Sequence, residues 1–201
     1  MPALTAYEAV RLLGEIRGKD ILLIGAASSV AHYAAQFASI RGARIIGTVG
    51  SEEKARHARA AGVAETINYK VEPVVQRVKD LTAQRGVDAI IDMDFSTTVN
   101  LVRDGALAPH GKIVCYGSNS MDDVTIPFRP MLMNSMQLLF FLVYDLTAAQ
   151  RSEAIEEIGK LLAAGRLVHT IGARFNLDEI VAAHEAVEQG KFMGNVLIEI
   201  N

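Results

Sequence analysis

The sequence lacks the features typical of secreted, membrane-spanning and metal-binding proteins. It contains one cysteine and no tryptophan. A single thiol cannot form an internal disulfide, and five scattered histidines give no zinc-type spacing, so we predict no metal site and a reducing, cytoplasmic location. The first residues have no basic stretch followed by an apolar one, so no signal peptide is predicted. The longest apolar run, residues 136–144, is too short to cross a bilayer.

The chain also lacks a large excess of charge. It has 20 Lys+Arg against 23 Asp+Glu, a formal net charge of -3. Such a balance gives no field that would attract a phosphate backbone or an acidic membrane surface, so we expect neither as a partner. Half of the 201 residues are hydrophobic, which is enough for one sizeable core.

Short β-branched runs alternate with segments of helical period along the chain. This alternation predicts an α/β fold, a doubly wound Rossmann-type parallel sheet with helices on both faces. No linker interrupts it, so residues 1–201 are interpreted as a single domain. The predicted strands are 21–25, 44–49, 66–69, 87–92 and 112–116. Four helices are predicted between them. The first covers 31–41, the second is capped by Ser51, the third begins at Pro73 and the fourth covers 98–107.

The second half of the chain departs from the simple repeat. The apolar residues 136–144 are predicted to form a strand that is buried on both faces or lies against another copy of the chain. A helix over 147–164 ending at Gly165, an extended segment over 168–175, a helix over 177–189 and a strand over 196–200 are expected to follow.

The turn after the first strand, residues 26–31, is the first candidate site. Dinucleotide-binding turns commonly follow the pattern G-x-G-x-x-G, whereas Ala26, Ser28 and Ala31 stand at those positions here. The amides of Ser29 and Val30 would still point from a helix N-terminus toward an anion. Ser28 places a Cβ and a hydroxyl where a phosphate would approach, so the turn alone favours an ordinary strand-to-helix connection over a phosphate site.

The end of the second strand bears on the choice between NAD and NADP. Residues 47–51 contain no acid that could accept the ribose hydroxyls of NAD. Lys54 and the capping hydroxyl of Ser51 could instead flank a 2′-phosphate. The alternative, favoured by this segment alone, is that Lys54 is a solvated charge beside Glu52 and Glu53.

Other polar residues are interpreted as structural. Asp92 and Asp94 project from one face of a strand, and a solvated strand end is favoured over a metal-binding pair. Cys115 lies mid-strand and is expected to be a small buried hydrophobe without reactivity. His32 is expected to face solvent, and His184 to pack or cap.

Several segments together resemble the medium-chain dehydrogenase/reductase superfamily, and most closely its zinc-independent quinone oxidoreductase branch. The resemblance covers nearly the whole chain. The segments are LTAYEA at 4–9, IGTVGSEEK at 46–54, INY at 67–69, LT at 81–82, GVD at 86–88, AH at 183–184, and GK at 190–191 before Gly194.

The resemblance implies NADPH-dependent reduction of quinones or activated enones, with hydride passing directly from the nicotinamide to the substrate. It also implies that this chain holds the cofactor-binding domain without the family's preceding catalytic domain, so its active site is expected to be incomplete and no catalytic residue is assigned. The implied cofactor-binding residues are Ala27, Ser28, Ser29 and Val30 for the diphosphate, Ser51, Lys54 and Tyr69 for the 2′-phosphate, and Gly117, Ser118 and Asn119 on the nicotinamide side.

The chain departs from the family pattern at two places near the cofactor. AASSVA replaces the family's AAGGVG, and Asp94-Phe95 replaces a Val-Gly pair, which places a carboxylate and a ring where the nicotinamide would pack. A second hypothesis therefore stays open, a non-catalytic dimerising Rossmann scaffold with a degenerate phosphate turn. The family's edge strand pairs with its symmetry mate, so under either hypothesis residues 136–144 are expected to form a homodimer interface.

Overall fold

The computed structural model of the chain describes residues 1–200. The main sheet has six parallel strands, which are β1 Asp20–Leu23, β2 Arg44–Val49, β3 Glu65–Asn68, β4 Val87–Asp92, β5 Leu107–Cys115 and β6 Gln137–Phe140. Their order in the sheet is β3-β2-β1-β4-β5-β6. Strands β2 and β3 therefore extend to one side of β1 and the last three strands to its other side, so the strand order reverses between β1 and β4.

Helices cover both faces of this sheet, which confirms the predicted fold class. The helices are α1 Pro2–Leu13, α2 Ser29–Ile40, α3 Glu52–Ala60, α4 Val74–Leu81, α5 Phe95–Arg103, α6 Phe128–Met133, α7 Ala148–Ala163 and α8 Ile180–Glu188. Successive side chains of β1 alternate between two hydrophobic clusters. Ile21 and Leu23 pack with α1, α2, α3 and α7, whereas Leu22 packs with α4, α5 and α6.

Local capping signals set the helix starts. The Ser51 hydroxyl accepts a hydrogen bond from the Lys54 amide at 3.2 Å, and Glu52 and Glu53 follow in the first turn of α3. Thr147 and Gln150 form a reciprocal capping box at the start of α7. These starts agree with the sequence prediction because capping depends on neighbouring residues alone.

The predicted helix over 98–107 is wrong in its last residues. Helix α5 ends at Arg103, and Gly105 follows with a φ of 87°, a conformation that favours glycine and stops the helix. Strand β5 then begins at Leu107 instead of residue 112. His110 has a φ of 62°, and the register of β5 against β4 shifts there, so the strand contains a bulge that its sequence pattern did not show.

The predicted strand over 136–144 is also only partly present. Strand β6 covers Gln137–Phe140 and is followed by a 3-10 turn over Val143–Asp145. Strand β6 pairs only with β5 and forms one edge of the sheet. Its residues are half-buried or exposed, so the expectation of a strand buried on both faces is wrong.

The last two strands do not join the main sheet. Strand β7, Ile171–Asn176, and strand β8, Asn195–Glu199, pair in parallel as a separate two-stranded sheet with α8 between them in the chain. None of the helices within residues 1–200 is long and apolar enough to cross a membrane.

Candidate functional site

Two adjoining cavities lie at the carboxyl ends of β1, β2 and β4. Their volumes are about 270 and 460 Å³, and they share a wall made by Gly25, Thr48, Tyr69 and Met93. This is the point where the strand order reverses, which in open α/β sheets is where ligands bind. The smaller cavity faces the β1–α2 turn, residues 24–28.

The N-terminus of α2 offers several free donors to the smaller cavity. Ala27 and Ser28 line that cavity. Within the described part of the chain, the backbone amides of Ala27, Ser29 and Val30 have no acceptor. The Ser28 hydroxyl caps the helix by accepting a hydrogen bond from the Ala31 amide at 3.3 Å. Three amides and a helix dipole are therefore available to an anion, and a fourth amide is occupied by Ser28.

Contacts with β2 hold the β1–α2 turn in place. The Gly25 amide donates to the Thr48 hydroxyl, and the Ala26 amide donates to the Thr48 carbonyl, both at 2.9 Å. A Cβ on Gly47 would lie 2.6 Å from the Cβ of Ala26, so only glycine lets β2 approach the turn this closely. The cavity floor is therefore fixed by backbone contacts.

A cationic and an aromatic side chain lie at the end of β2. Lys54 and Tyr69 line the smaller cavity. Lys54 has no ion-pair partner among residues 1–200, whereas Ser51 lies outside the lining and is engaged as the cap of α3. A Cβ on Gly50 would lie 2.8 Å from the Tyr69 hydroxyl, so this glycine allows the ring to close over the strand end.

Two parts of this site were missed by the sequence analysis. The side chain of Lys70 passes beside Gly50, where a Cβ would lie 3.3 Å from its Cε, and its position next to Tyr69 was the available signal. Gly190, Phe192 and Met193 from the loop between α8 and β8 also line the smaller cavity. Apart from the family segment at 190–191, no local pattern connects this distant loop to the turn.

The larger cavity has a mainly apolar wall. Ile24, Val74, Met93 and Leu101 line it together with the ring of Tyr69. Besides Thr48, its polar residues come from the cap and first turn of α5 and from the loop after β5, namely Asp94, Thr97, Thr98 and Asn119. A flat aromatic group would find apolar contacts here and a few polar groups at one end.

Asp92 and Asp94 are both buried, which corrects the expectation of a solvated strand end. Asp92 accepts hydrogen bonds from the Asp94 amide at 2.8 Å and from the Thr98 hydroxyl, and burial raises its pKa. The Asp94 carboxylate accepts from the Ser96 hydroxyl at 2.5 Å and from Asn119, and these bonds lower its pKa. The two carboxyl groups therefore have different environments and opposite pKa shifts.

Of the three residues expected on the nicotinamide side, only Asn119 lines a cavity. Its side-chain amide donates to the Asp94 carboxylate at 3.1 Å. Gly117 lies where the chain crosses β4, since a Cβ there would be 2.7 Å from the Met93 carbonyl oxygen, and the Ser118 hydroxyl donates to the Ser120 carbonyl. The Phe95 ring packs in the hydrophobic core and lines neither cavity, which corrects the expectation that it would obstruct the nicotinamide.

The structure agrees with the expectation for Cys115 and corrects the one for His32. Cys115 is buried and burial raises the pKa of its thiol to about 12, in agreement with the expected lack of reactivity. His32 is only 3% exposed, which corrects the expectation that it faces solvent. His32 lies in the first turn of α2, and its ring contacts the Val168 carbonyl.

The chain is similar to a set of oxidoreductases. The zinc-binding dehydrogenase family model matches residues 29–164. Quinone oxidoreductase of Homo sapiens is 26% identical over 192 residues, which cover 94% of this chain and 57% of that protein. 2-Haloacrylate reductase of Burkholderia sp is 30% identical over 206 residues, which cover 98% of this chain and 61% of that protein.

Solved structures show the same relationship. A mycobacterial protein in complex with NADPH superposes with a TM-score of 0.80 at 25% identity, covering 97% of this chain and 63% of that one. The chain therefore spans about 57 to 63% of the length of these relatives.

The family model is named for zinc. Residues 1–200 contain no group of three or more His, Cys, Asp or Glu side chains that could hold a metal ion. The family match extends over more than half of the chain and is supported by the named relatives. The chain thus belongs to the zinc-binding dehydrogenase family, within the quinone oxidoreductase branch of the medium-chain dehydrogenase/reductase superfamily.

Proposed function

We propose that the two cavities bind NADPH and that the chain is the cofactor-binding part of a quinone or enone oxidoreductase. One observation carries this proposal. Ala27, whose amide is free, lines the same cavity as Lys54, and the free amides of Ser29 and Val30 follow it at the N-terminus of α2. Donors for a diphosphate and a cation for a further phosphate are thus within one cleft.

The residues fit the parts of the cofactor in order. The amides of the β1–α2 turn would bind the diphosphate, and Lys54, Tyr69 and the nearby Ser51 hydroxyl would bind the 2′-phosphate. The apolar wall of the larger cavity suits the adenine ring. When bound, the cofactor supplies a hydride, and this chain's residues bind and orient it. Asn119, held by Asp94, lines the same cavity as the apolar wall and would offer a polar contact at one end of the adenine ring, instead of the nicotinamide contact that the resemblance implies.

The substrate class is proposed from the relatives. Human quinone oxidoreductase and the Burkholderia 2-haloacrylate reductase are named for reduction of quinones and of an activated double bond. This chain contains a little over half of their length, so we expect weak turnover or none by the chain alone.

A second candidate function is favoured by one contact. The Ser28 hydroxyl satisfies the Ala31 amide and so occupies a position that a phosphate oxygen would use. One donor of the turn is therefore satisfied without an anion, which favours the hypothesis of a Rossmann scaffold that dimerises without catalysis.

We also propose a homodimer through the edge strand β6. Its outer side is exposed, and Phe140, Leu142 and Tyr144 are 68, 59 and 72% exposed. An edge strand flanked by such side chains is a template for pairing with a second copy. Cytoplasmic location stays a prediction from the single, buried cysteine.

The decisive experiment for NADPH binding is a titration of the purified chain with NADPH and with NADH. Because the chain has no tryptophan, the fluorescence of the bound nicotinamide is read against a low protein background. We expect saturable NADPH binding that is tighter than NADH binding. Absence of saturation at millimolar NADPH would reject the proposal in favour of the scaffold.

The matched control separates specific from general electrostatic effects. Lys54→Ala is expected to remove the preference for NADPH, because the 2′-phosphate loses its cation. Lys160→Ala removes a lysine of α7 that pairs with Glu156 and Glu157 away from the cavities, and it should leave both affinities unchanged. Equal losses in the two variants would contradict a specific role for Lys54.

A further inference from the structure

Side chains of α2 hold the backbone of the segment that leads into β7. The His32 ring donates through Nε2 to the Val168 carbonyl at 3.0 Å. The Gln36 side chain donates to the same carbonyl at 3.1 Å and accepts from the Val168 amide at 2.6 Å. The Tyr33 hydroxyl contacts Nδ1 of His169 at 2.9 Å. We call the contacts of His32 and Gln36 with Val168 the α2 clamp.

The α2 clamp is connected to the wall of the smaller cavity through a short path. Two residues beyond Val168, the Thr170 carbonyl accepts a hydrogen bond from the Asn195 amide at 2.8 Å. A Cβ on Gly194 would lie 2.3 Å from that same carbonyl oxygen, so the two segments are in close contact. Gly190, Phe192 and Met193, which precede Gly194, form the outer wall of the cavity. The position of this wall therefore depends on where Val168 is held.

His32 is held in a form that has no place for a second proton. Because Nε2 donates to the Val168 carbonyl, Nδ1 of the neutral ring is bare, and it is buried without any hydrogen-bond partner among the described residues. The His57 ring of α3 stacks on His32 with centroids 4.6 Å apart and planes 17° apart. The titratable side chains facing His32 are thus His57, His169 and Tyr33, and none is an acid that would stabilise a cation.

We propose that His32 is a positioning residue that seats the loop 190–193 over the phosphate cavity and releases it on acidification. The effect of the loop on the ligand rests on the proposed function, because the loop would then control how tightly the dinucleotide is enclosed. The clamp itself is a property of the chain without cofactor.

The direction of the pH dependence follows from proton linkage. Burial is the largest influence on the pKa of His32 and lowers it. The hydrogen bond to the Val168 carbonyl opposes this shift, whereas His57 and His169 add to it, and the net pKa is lowered. The clamped form therefore binds fewer protons than the released form, whose histidine titrates near the ordinary value of about 6.5. The clamp is fully formed above that pH and weakens as the pH falls below it.

Hydrogen exchange on the full chain without cofactor tests the clamp. After correction for intrinsic rates, we expect the amides of 190–199 to lose protection between pH 7.5 and 5.5, by at most about tenfold, which corresponds to about 1.4 kcal/mol. His32→Gln supplies an amide donor for Val168 that does not titrate, so it should keep protection at both pH values. His184→Gln, a change at an exposed histidine of α8, should behave like the unchanged chain.

Two results would overturn the clamp. One is a pH-dependent loss of protection in His32→Gln equal to that of the unchanged chain, and the other is no loss in the unchanged chain. His32→Ala should lose protection of the loop at both pH values while the central strands stay protected. If all of β1 and β4 also lost protection in that variant, a general loss of fold would replace the proposed local release.

Calorimetric titration with NADP⁺ at the same two pH values tests the consequence for the ligand. The 2′-phosphate titrates in this range as well, and comparing His32→Gln with the unchanged chain cancels that contribution. We expect affinity to fall more steeply with acid in the unchanged chain. If the affinity for NADP⁺ depended on pH equally in His32→Gln and in the unchanged chain, control of cofactor binding by the loop would be rejected. Absence of NADP⁺ binding to every variant would reject the proposed function, and the hydrogen-exchange result would still decide the clamp.

Discussion

At the scale of single residues, the hydroxyl of Ser28 occupies a hydrogen-bond position that a phosphate oxygen would use. It accepts from the Ala31 amide, while the amides of Ser29 and Val30 stay free. A bound diphosphate must therefore displace the hydroxyl or bind with one donor fewer.

Replacing this serine tests its effect on the cofactor. We expect Ser28→Gly to tighten NADPH binding roughly tenfold, since one regained hydrogen bond to a charged group is worth about 1.4 kcal/mol. The loss of the cap should lower the free energy of unfolding by only a few tenths of a kcal/mol. Ser51→Gly removes the equivalent cap of α3 and is expected to weaken binding instead. Fluorescence titration and urea unfolding measure both variants, and unchanged affinity in Ser28→Gly would support the scaffold hypothesis.

The buried carboxyl groups lead to a prediction about pH. The pKa of Asp92 is raised by burial, so its folded form holds a proton to higher pH than its unfolded form does. Its contribution to stability therefore decreases as the pH rises from its ordinary value through its folded pKa. Asp92→Asn should remove this decrease, because the amide can accept from the Asp94 amide and donate to Thr98. Asp92→Ala should instead destabilise the chain by about 1–3 kcal/mol, since both donors lose their acceptor.

Asp94 provides a control because its pKa is shifted in the opposite direction from that of Asp92. Its pKa is lowered by the bonds from Ser96 and Asn119, so its contribution to stability is present above its ordinary pKa and lost as the pH falls. Asp94→Asn should therefore lower stability at neutral pH. Urea unfolding between pH 3 and 8 measures both variants, and equal pH profiles for Asp92→Asn and Asp94→Asn would contradict the assignment.

At the scale of secondary-structure elements, the packing of β2 against the β1–α2 turn determines the shape of the site. A Cβ on Gly47 would lie 2.6 Å from that of Ala26 and 3.0 Å from a methyl group of Val63. We expect Gly47→Ala to lower the free energy of unfolding by about 1–3 kcal/mol through overpacking. It should also weaken NADPH binding, because the turn must move away from the strand.

Gly159 provides a matched control, a glycine whose replacement by alanine meets no neighbouring atom. Gly159 lies inside α7 with nothing within 4 Å of its would-be Cβ. Gly159→Ala should therefore stabilise the chain by about 1 kcal/mol, the helix-propensity difference. Thermal and urea unfolding measure both variants, and destabilisation by Gly159→Ala would show that its surroundings are more crowded than described.

Elements differ in how far their sequence specified them. Strands β2 and β4 match their predicted bounds because each is a short apolar run that must be buried on both faces. The bulge at His110 and the early end of β6 did not appear in the pattern, since they depend on the partner strand and on what covers the sheet edge.

At the scale of the whole molecule, the uncovered edge of β6 determines how copies of the chain would associate. If two copies pair there, Phe140 lies within the interface. We expect Phe140→Lys to weaken the dimer roughly thirtyfold or more, the effect of about 2 kcal/mol for a central interface residue. Leu162→Lys changes a residue of α7 that is 48% exposed and should leave the dimer unchanged. Analytical ultracentrifugation over a concentration series measures both, and a monomer at all concentrations would reject the interface.

The sequence by itself determined the alternation of strands and helices from β1 to α5, the helix α7, the caps of α3 and α7, and the position of the β1–α2 turn. These features follow from periodicity and from contacts within a few residues, which the chain specifies locally. The resemblance added Tyr69 and Asn119 and favoured a binding role for Lys54, and each of the three lines a cavity in the structure.

Only the tertiary structure decided which side chains meet across the site. His32 and Val168 are 136 residues apart, and Asp94 and Asn119 are 25 apart, yet each pair is joined by a hydrogen bond. The burial of Asp92 and the closure of the cavity by the loop 190–193 likewise depend on how separate elements pack. Such contacts arise from the arrangement of the whole sheet and its helices, and no local pattern of residue types encodes them.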